Sequence, residues 1–123
     1  MLVLIVDDNE RNRRLARDLL LGAGFETLEA ATGADAFSLA VEHAPDVILM
    51  DLRLPDIDGA EVALKLEVEP RTAEIPVVAL SALPLEGSGE WLKAAGFVGW
   101  IEKPIRVGRF AEDVRRLASR ARK

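Results

Sequence analysis

Five short apolar runs divide the chain: Leu2 to Val6, Phe25 to Ala30, Val47 to Met50, Val77 to Leu80 and Val98 to Ile101. They are rich in β-branched and aliphatic residues and too short for helices, which predicts buried strands. The stretches between them space their apolar residues by three and four, as amphipathic helices do. Over Glu10 to Leu21, Leu15, Leu19 and Leu20 share a face while Arg11, Arg14 and Asp18 fall elsewhere. The stripe is Ala36, Phe37, Ala40 and Val41 over Ala34 to His43, and Val62, Ala63 and Leu66 over Gly59 to Glu67. The last segment, Val107 to Ala121, has the clearest stripe: Val107, Phe110, Val114, Leu117 and Ala121. A fourth helix falls within Leu85 to Ala95, where Gly87, Ser88 and Gly89 occupy the opening turns. Each glycine in a helix costs about 1 kcal/mol relative to alanine, so this helix is expected to start late or to be locally mobile.

Punctuation agrees with these boundaries. Gly22 and Gly24 precede the second run, Pro45 the third, Pro76 the fourth and Gly96 the fifth. The order is (βα)₅. Near-continuous apolar strands joined by helices predict an α/β fold, with a doubly wound five-stranded parallel sheet covered on both faces by right-handed crossovers.

Composition narrows the picture. A chain of 123 residues, half of them apolar, is the size of one compact domain. The formal charge of −5 and a pI near 4.9 give no general attraction to nucleic acid or to an anionic membrane surface. Without cysteine there are neither disulfides nor thiolate metal sites. Met1 leads straight into the first apolar run with no basic region before it, and no run approaches the roughly 20 residues that span a bilayer. A soluble cytoplasmic protein is expected.

In open α/β sheets, ligands bind beyond the carboxyl ends of the strands. The first run is followed by Asp7 and Asp8, the third by Asp51, the fourth by Ser81 and Ala82, and the fifth by Lys103 and Pro104. A parallel sheet gathers these into three carboxylates, one hydroxyl and one ammonium. Three converging carboxylates repel, and one would tend to take up a proton unless a cation intervenes. Oxygen donors of this kind suit Mg²⁺, which keeps several waters and takes one or two carboxylates plus a phosphate oxygen; Ca²⁺ wants more protein oxygens than the site offers. An acidic pair after a strand is otherwise a helix cap, and Asp8 or Asn9 is placed to cap the helix starting near Glu10. The company of Asp51, Ser81 and Lys103 favours the metal reading. Asp51 can then act as a carboxylate nucleophile toward a phosphoryl donor, with Lys103 neutralising added charge and Ser81 donating a hydrogen bond.

The segments Ile5-Val6-Asp7-Asp8-Asn9, Ile48-Leu49-Met50-Asp51-Leu52-Arg53-Leu54-Pro55 with Gly59, Ser81-Ala82 and Lys103-Pro104 together resemble the receiver domain of two-component response regulators over essentially the whole chain. The stand-alone type, which includes small cell-cycle regulators, is the most similar. The resemblance implies a flavodoxin-like, CheY-like sheet of strand order 2-1-3-4-5 and a single receiver domain over residues 1–123 with no output domain. It implies phosphorylation of Asp51 by a histidine kinase or a histidine phosphotransfer protein. Mg²⁺, or Mn²⁺ in its place, would be held by Asp8, Asp51 and the backbone carbonyl of Arg53, with Asp7 acting through water. Ser81 and Lys103 would meet the phosphoryl group, and the Lys103-Pro104 peptide would be cis.

One position departs from the family pattern. Receivers usually carry Tyr, Phe or His where this chain has Trp100, a bulkier ring whose indole N–H needs a partner when buried. The usual inward rotation of that aromatic is in doubt, and Trp100 can equally cover the sheet edge. Leu83, Leu85, Trp91 and Trp100 suggest that helix four, strand five and helix five form the face for a downstream protein, with the chain a monomer or a weak phosphorylation-dependent dimer. The basic tail, Arg115 to Lys123, reads as a solvated end favoured by the helix dipole. Three alternatives are weaker. A cofactor-binding flavodoxin-like module would need a phosphate-cradling loop where Asp7-Asp8-Asn9-Glu10 stands. An aspartate-nucleophile phosphatase would need a general acid and a cap, and His43 is placed at the end of helix two, far from the site. A receiver that binds partners without phosphorylation would not need the intact acidic set.

Overall fold

The computed structural model describes residues 1–82 and 89–120. Strands β1 (Leu2–Val6), β2 (Glu26–Ala30), β3 (Val47–Asp51), β4 (Val77–Ser81) and β5 (Phe97–Glu102) alternate with helices α1 (Glu10–Gly22), α2 (Gly33–His43), α3 (Gly59–Val68), α4 (Gly89–Ala94) and α5 (Phe110–Ala118). All strand pairs are parallel, in the order β2-β1-β3-β4-β5. The expected class and strand order are both present.

Side chains alternate across the sheet, so each strand feeds two cores. Val3, Ile5, Leu49, Val78 and Leu80 pack with Ala16 and Leu20 of α1 and with Phe110, Val114 and Leu117 of α5. Leu4, Val6, Ile48, Met50 and Ala79 pack on the other face with Ala36 and Ala40 of α2, with Val62 and Leu66 of α3, and with Leu92 of α4. Burying each such Val, Leu, Ile or Phe side chain contributes about 1.5–3 kcal/mol, which is why the central strands are apolar on both faces. At the β5 edge the pairing slips. Val77 faces Phe97 but Val78 faces Gly99, leaving Val98 as an extra residue.

Two helix stripes differ from expectation. In α1 the buried pair is Ala16 and Leu20, while Leu15 is exposed. Counting leucines places the face one position off, because the small Ala16 lets the helix lie close to the sheet. The last helix starts at Phe110, not Val107; the chain from Arg106 first makes a turn, with the Phe110 N–H on the Arg106 carbonyl at 3.0 Å, and Val107 is exposed. Gly108 disfavours an earlier helical start. Ala121, the end of that stripe, lies outside the described residues, as do Leu83, Leu85 and the Gly87-Ser88 opening of the fourth helix.

The β3–α3 connection is held on several sides. Leu52 accepts from the Gly59 N–H at 3.1 Å, and Arg53 pairs with Asp58 as an isolated antiparallel bridge. Asp58 caps α3 through the Ala60 N–H at 2.9 Å. Asp56 reaches across to the first turn of α2, where its two oxygens accept from the N–H groups of Gly33 (2.8 Å) and Ala34 (3.0 Å) beside the Thr32 cap. These bonds, first with Gly33 and then with Ala34, hold the Asp56 carboxyl below its ordinary pKa. Gly59 sits so close to Asp51 that a Cβ would collide with the Asp51 carbonyl oxygen.

Two outcomes follow from this loop. Gly59→Ala should destabilise the fold by about 1–3 kcal/mol or more, read by denaturant unfolding, because backbone rather than a flexible side chain must yield. Asp56 is a carboxyl whose folded pKa is depressed, so its contribution is fully present above the ordinary aspartate range and is lost as pH falls through the folded value. Asp56→Asn should therefore lower the melting temperature most near neutral pH, with the gap to the parent protein closing in acid; a gap independent of pH would contradict this.

Candidate functional site

The carboxyl ends of β1, β3, β4 and β5 open into a cleft of about 350 Å³ lined by Asp7, Asp8, Asp51, Arg53, Ser81 and Lys103 among others. Asp51 is the last residue of β3 and Ser81 the last of β4, both buried at the sheet edge. Asp7 is buried directly after β1, while Asp8 is exposed. Ligand atoms of Asp7, Asp8 and Asp51 all lie within 4.8 Å of one another. Asn9, not Asp8, caps α1, accepting from the Asn12 N–H at 3.0 Å. That leaves the Asp8 carboxylate with no hydrogen bond or ion pair among the described residues.

Lys103 spans the cleft. Its ammonium lies 2.8 Å from Asp7 Oδ2 and 3.1 Å from Asp51 Oδ2, with its side chain only 13% exposed. Lys103 directly follows β5 and is joined to Pro104 by a cis peptide, and its N–H donates to the Ser81 carbonyl at 2.8 Å. Asp51 Oδ1 accepts from the Arg53 N–H at 3.0 Å, and Asp7 Oδ1 accepts from the Asn9 N–H at 2.9 Å. Asp7 Oδ2 is buried and lacks a partner in hydrogen-bonding geometry, so the ion pair with Lys103 is its compensation.

Burial pushes the Asp51 carboxyl above its ordinary pKa; the Arg53 N–H and Lys103 pull the other way, and the charge of Asp7 adds to the rise last. The sequence leads one to expect repulsion between carboxylates as the cause, but desolvation dominates. Burial also disfavours the Lys103 cation, yet pairing with Asp7 and Asp51 more than offsets it and raises its pKa. The ammonium is thus held charged against the two buried acids.

Three clustered carboxylates, with that of Asp8 exposed and unpaired among the described residues, form a donor set of the hard type that suits Mg²⁺. Residues that sequence reasoning missed surround it. Arg13 Nη1 donates to the Asp7 carbonyl at 2.8 Å, and its Nε pairs with Glu29 Oε1 at 3.3 Å. No pattern along the chain marks this contact, because β2 carries Glu26 and Thr27 as well as Glu29. Of the partner-face residues, Trp91 on α4 and Trp100 on β5 are 49% and 42% exposed, and Leu83 lies outside the described residues. Trp100 is paired in register with Ala79 and borders a groove of about 600 Å³ between α4 and the end of α5. His43 ends α2, away from the cleft-lining set.

Among the described residues, no helix is long and apolar enough to cross a membrane. The profile of the response regulator receiver domain matches residues 3–115. The polar-differentiation response regulator DivK of Brucella ovis is 42% identical over 113 residues, covering 92% of each chain; that of Brucella melitensis is equally similar. Among solved structures, the chemotaxis response regulator CheY4 of Vibrio cholerae superposes with a TM-score of 0.88 at 28% identity, covering 94% of this chain and 97% of that one. The receiver domain of the sensor histidine kinase PA1611 from Pseudomonas aeruginosa, solved with a magnesium ion in its active-site cleft, gives 0.86 at 28% identity over 97% and 98%. With the sheet order, the acidic cluster and the Lys103 bridge in place, these matches show that the chain belongs to the response regulator receiver domain family.

Proposed function

We propose that this chain is a response regulator receiver that accepts a phosphoryl group on Asp51 and thereby switches its contacts with other proteins. The observation that carries the reading is the Lys103 ammonium poised between Asp7 and Asp51 beside an unclaimed Asp8 carboxylate. The donor is a histidine kinase or a histidine phosphotransfer protein. The acidic site takes Mg²⁺, or Mn²⁺ in its place, on the Asp8 and Asp51 carboxylates and the Arg53 backbone carbonyl, with Asp7 acting through water. A cation there offsets charge on the phosphoryl oxygens.

In the transfer, an Asp51 carboxylate oxygen attacks phosphorus as the phosphorus–nitrogen bond to the donor imidazole breaks. The departing imidazole takes up a proton. Lys103 pairs with a phosphoryl oxygen and the Ser81 hydroxyl donates to another, while small Ala82 leaves the approach open. The protein is no enzyme acting on an external metabolite; it catalyses its own phosphoryl transfer and a slow autodephosphorylation in the cytoplasm.

Output runs through the face of α4, β5 and α5 to a downstream protein, with Leu83, Trp91 and Trp100 as apolar contacts and the chain a monomer or a weak phosphorylation-dependent dimer. The exposure of both tryptophans supports this choice. It needs neither nucleic acid nor membrane insertion.

Incubation with Mg²⁺ and acetyl phosphate should add one phosphoryl group by intact mass, absent in Asp51→Asn and lost with chelator. No adduct from small donors or from phosphohistidine donors refutes the reading. In a Trp91→Phe background, phosphorylation should change the emission of Trp100, and Asp51→Asn should abolish the change; a constant spectrum in the phosphorylated protein would exclude β5 from the switch.

A further inference from the structure

The Asp8 carboxylate has no hydrogen bond or ion pair among the described residues, so contacts can restrain it only through its backbone. That backbone is unusually well held one peptide earlier. The Asp7 N–H donates to the Ala30 carbonyl at 3.1 Å, Asp7 Oδ1 accepts from Asn9, and the Asp7 carbonyl accepts from Arg13 Nη1 at 2.8 Å. The same guanidinium is fixed from its other edge by Glu29 on β2, whose second oxygen lies 3.4 Å from Arg17 Nη1. Arg13 and Glu29 are 18% and 30% exposed, which limits solvent screening of the pair. A planar fork that meets a carbonyl with one nitrogen and a carboxylate with another fixes the carbonyl's direction in a way a flexible ammonium does not.

We infer that Arg13, anchored on Glu29, is a positioning residue that orients the Asp7–Asp8 peptide and so sets how tightly the acidic site holds a divalent cation. The inference rests on the reading of that site as a cation site. Its sign separates it from plain electrostatics. A guanidinium acting only by its charge opposes a nearby cation, so removing it should tighten binding. Removing a clamp that aims a ligand should weaken it, and losses of about 10- to 100-fold are usual when a residue that orients a metal ligand is removed.

The test is a calorimetric titration of the full chain with Mg²⁺ alone, using variants shown to be folded by their thermal melts. Arg13→Met, which keeps the apolar stem, should bind at least tenfold more weakly, within the range usual for such partners. Arg13→Lys should fall between it and the parent. Arg14→Met removes the same charge one residue on, where among the described residues Arg14 pairs with the exposed Glu10 at 2.9 Å, and should leave affinity unchanged or slightly higher. Amide resonances of Asp8 and Asn9 should shift in Arg13→Met without cation and not in Arg14→Met. Unchanged or tighter binding in Arg13→Met overturns the inference while leaving the cation site standing. If the parent chain binds no Mg²⁺, both fall. Should Arg13→Met fail to fold, Glu29→Gln releases the anchor alone and should weaken binding less; unchanged or tighter binding there overturns the inference as well.

Discussion

A single ammonium between two buried carboxylates is the interaction on which this molecule's chemistry depends. Taking ions out of water costs several kcal/mol each even after relaxation, and only close pairing returns that cost. Asp7 and Asp51 stand at the ends of strands adjacent in space but are 44 residues apart in sequence, and Lys103 comes from beyond the β5 edge of the sheet. The three charges meet only when β1, β3 and β5 are in register. Removing either acid would strand charge on the others, so the site is coupled to the integrity of three strands together.

The same arrangement explains why desolvation, more than mutual repulsion, governs Asp51. The apolar double core that makes the sheet stable extends to the strand ends, and it is this enclosure that raises the carboxyl's pKa. Stability and reactivity thus share one source. The connecting loops then supply direction: the Arg53 N–H on one Asp51 oxygen, Asn9 on one Asp7 oxygen, and Asp56 tying the β3–α3 loop to α2. Each is a backbone or cap contact of ordinary strength, and their value lies in narrowing orientation.

Much of this was legible in the sequence because glycine or proline marks where most strands begin and the cessation of an apolar run marks where each one ends. Asp51, Ser81 and Lys103 follow directly from that marking. Helix faces were read less well. Leu15 looks like core and is exposed, because a small residue, Ala16, faces the sheet where a large one was sought; Val107 continues a stripe on paper, but Gly108 and an initial turn remove it from the helix. Contacts made between a side chain and distant backbone, such as Asp56 with Gly33 or Arg13 with Asp7, have no local signature. They depend on which loops the folded sheet brings together, and pattern along the chain does not encode it.

The extra residue at Val98 has a further meaning. In a strand, inserting or omitting one residue exchanges the two faces for everything that follows. Val98 is that insertion: beyond it Gly99 follows the parity of Val78 and packs toward Leu117, Trp100 follows Ala79, and the count to Lys103 is advanced by one. The edge strand is in effect a vernier. A slip of one notch at its buried beginning would turn the indole to the other side of the sheet and draw the ammonium out of the cleft at the same time, so the outward-facing ring and the charge that guards Asp51 are set by a single local irregularity and cannot be adjusted independently by shifting the strand.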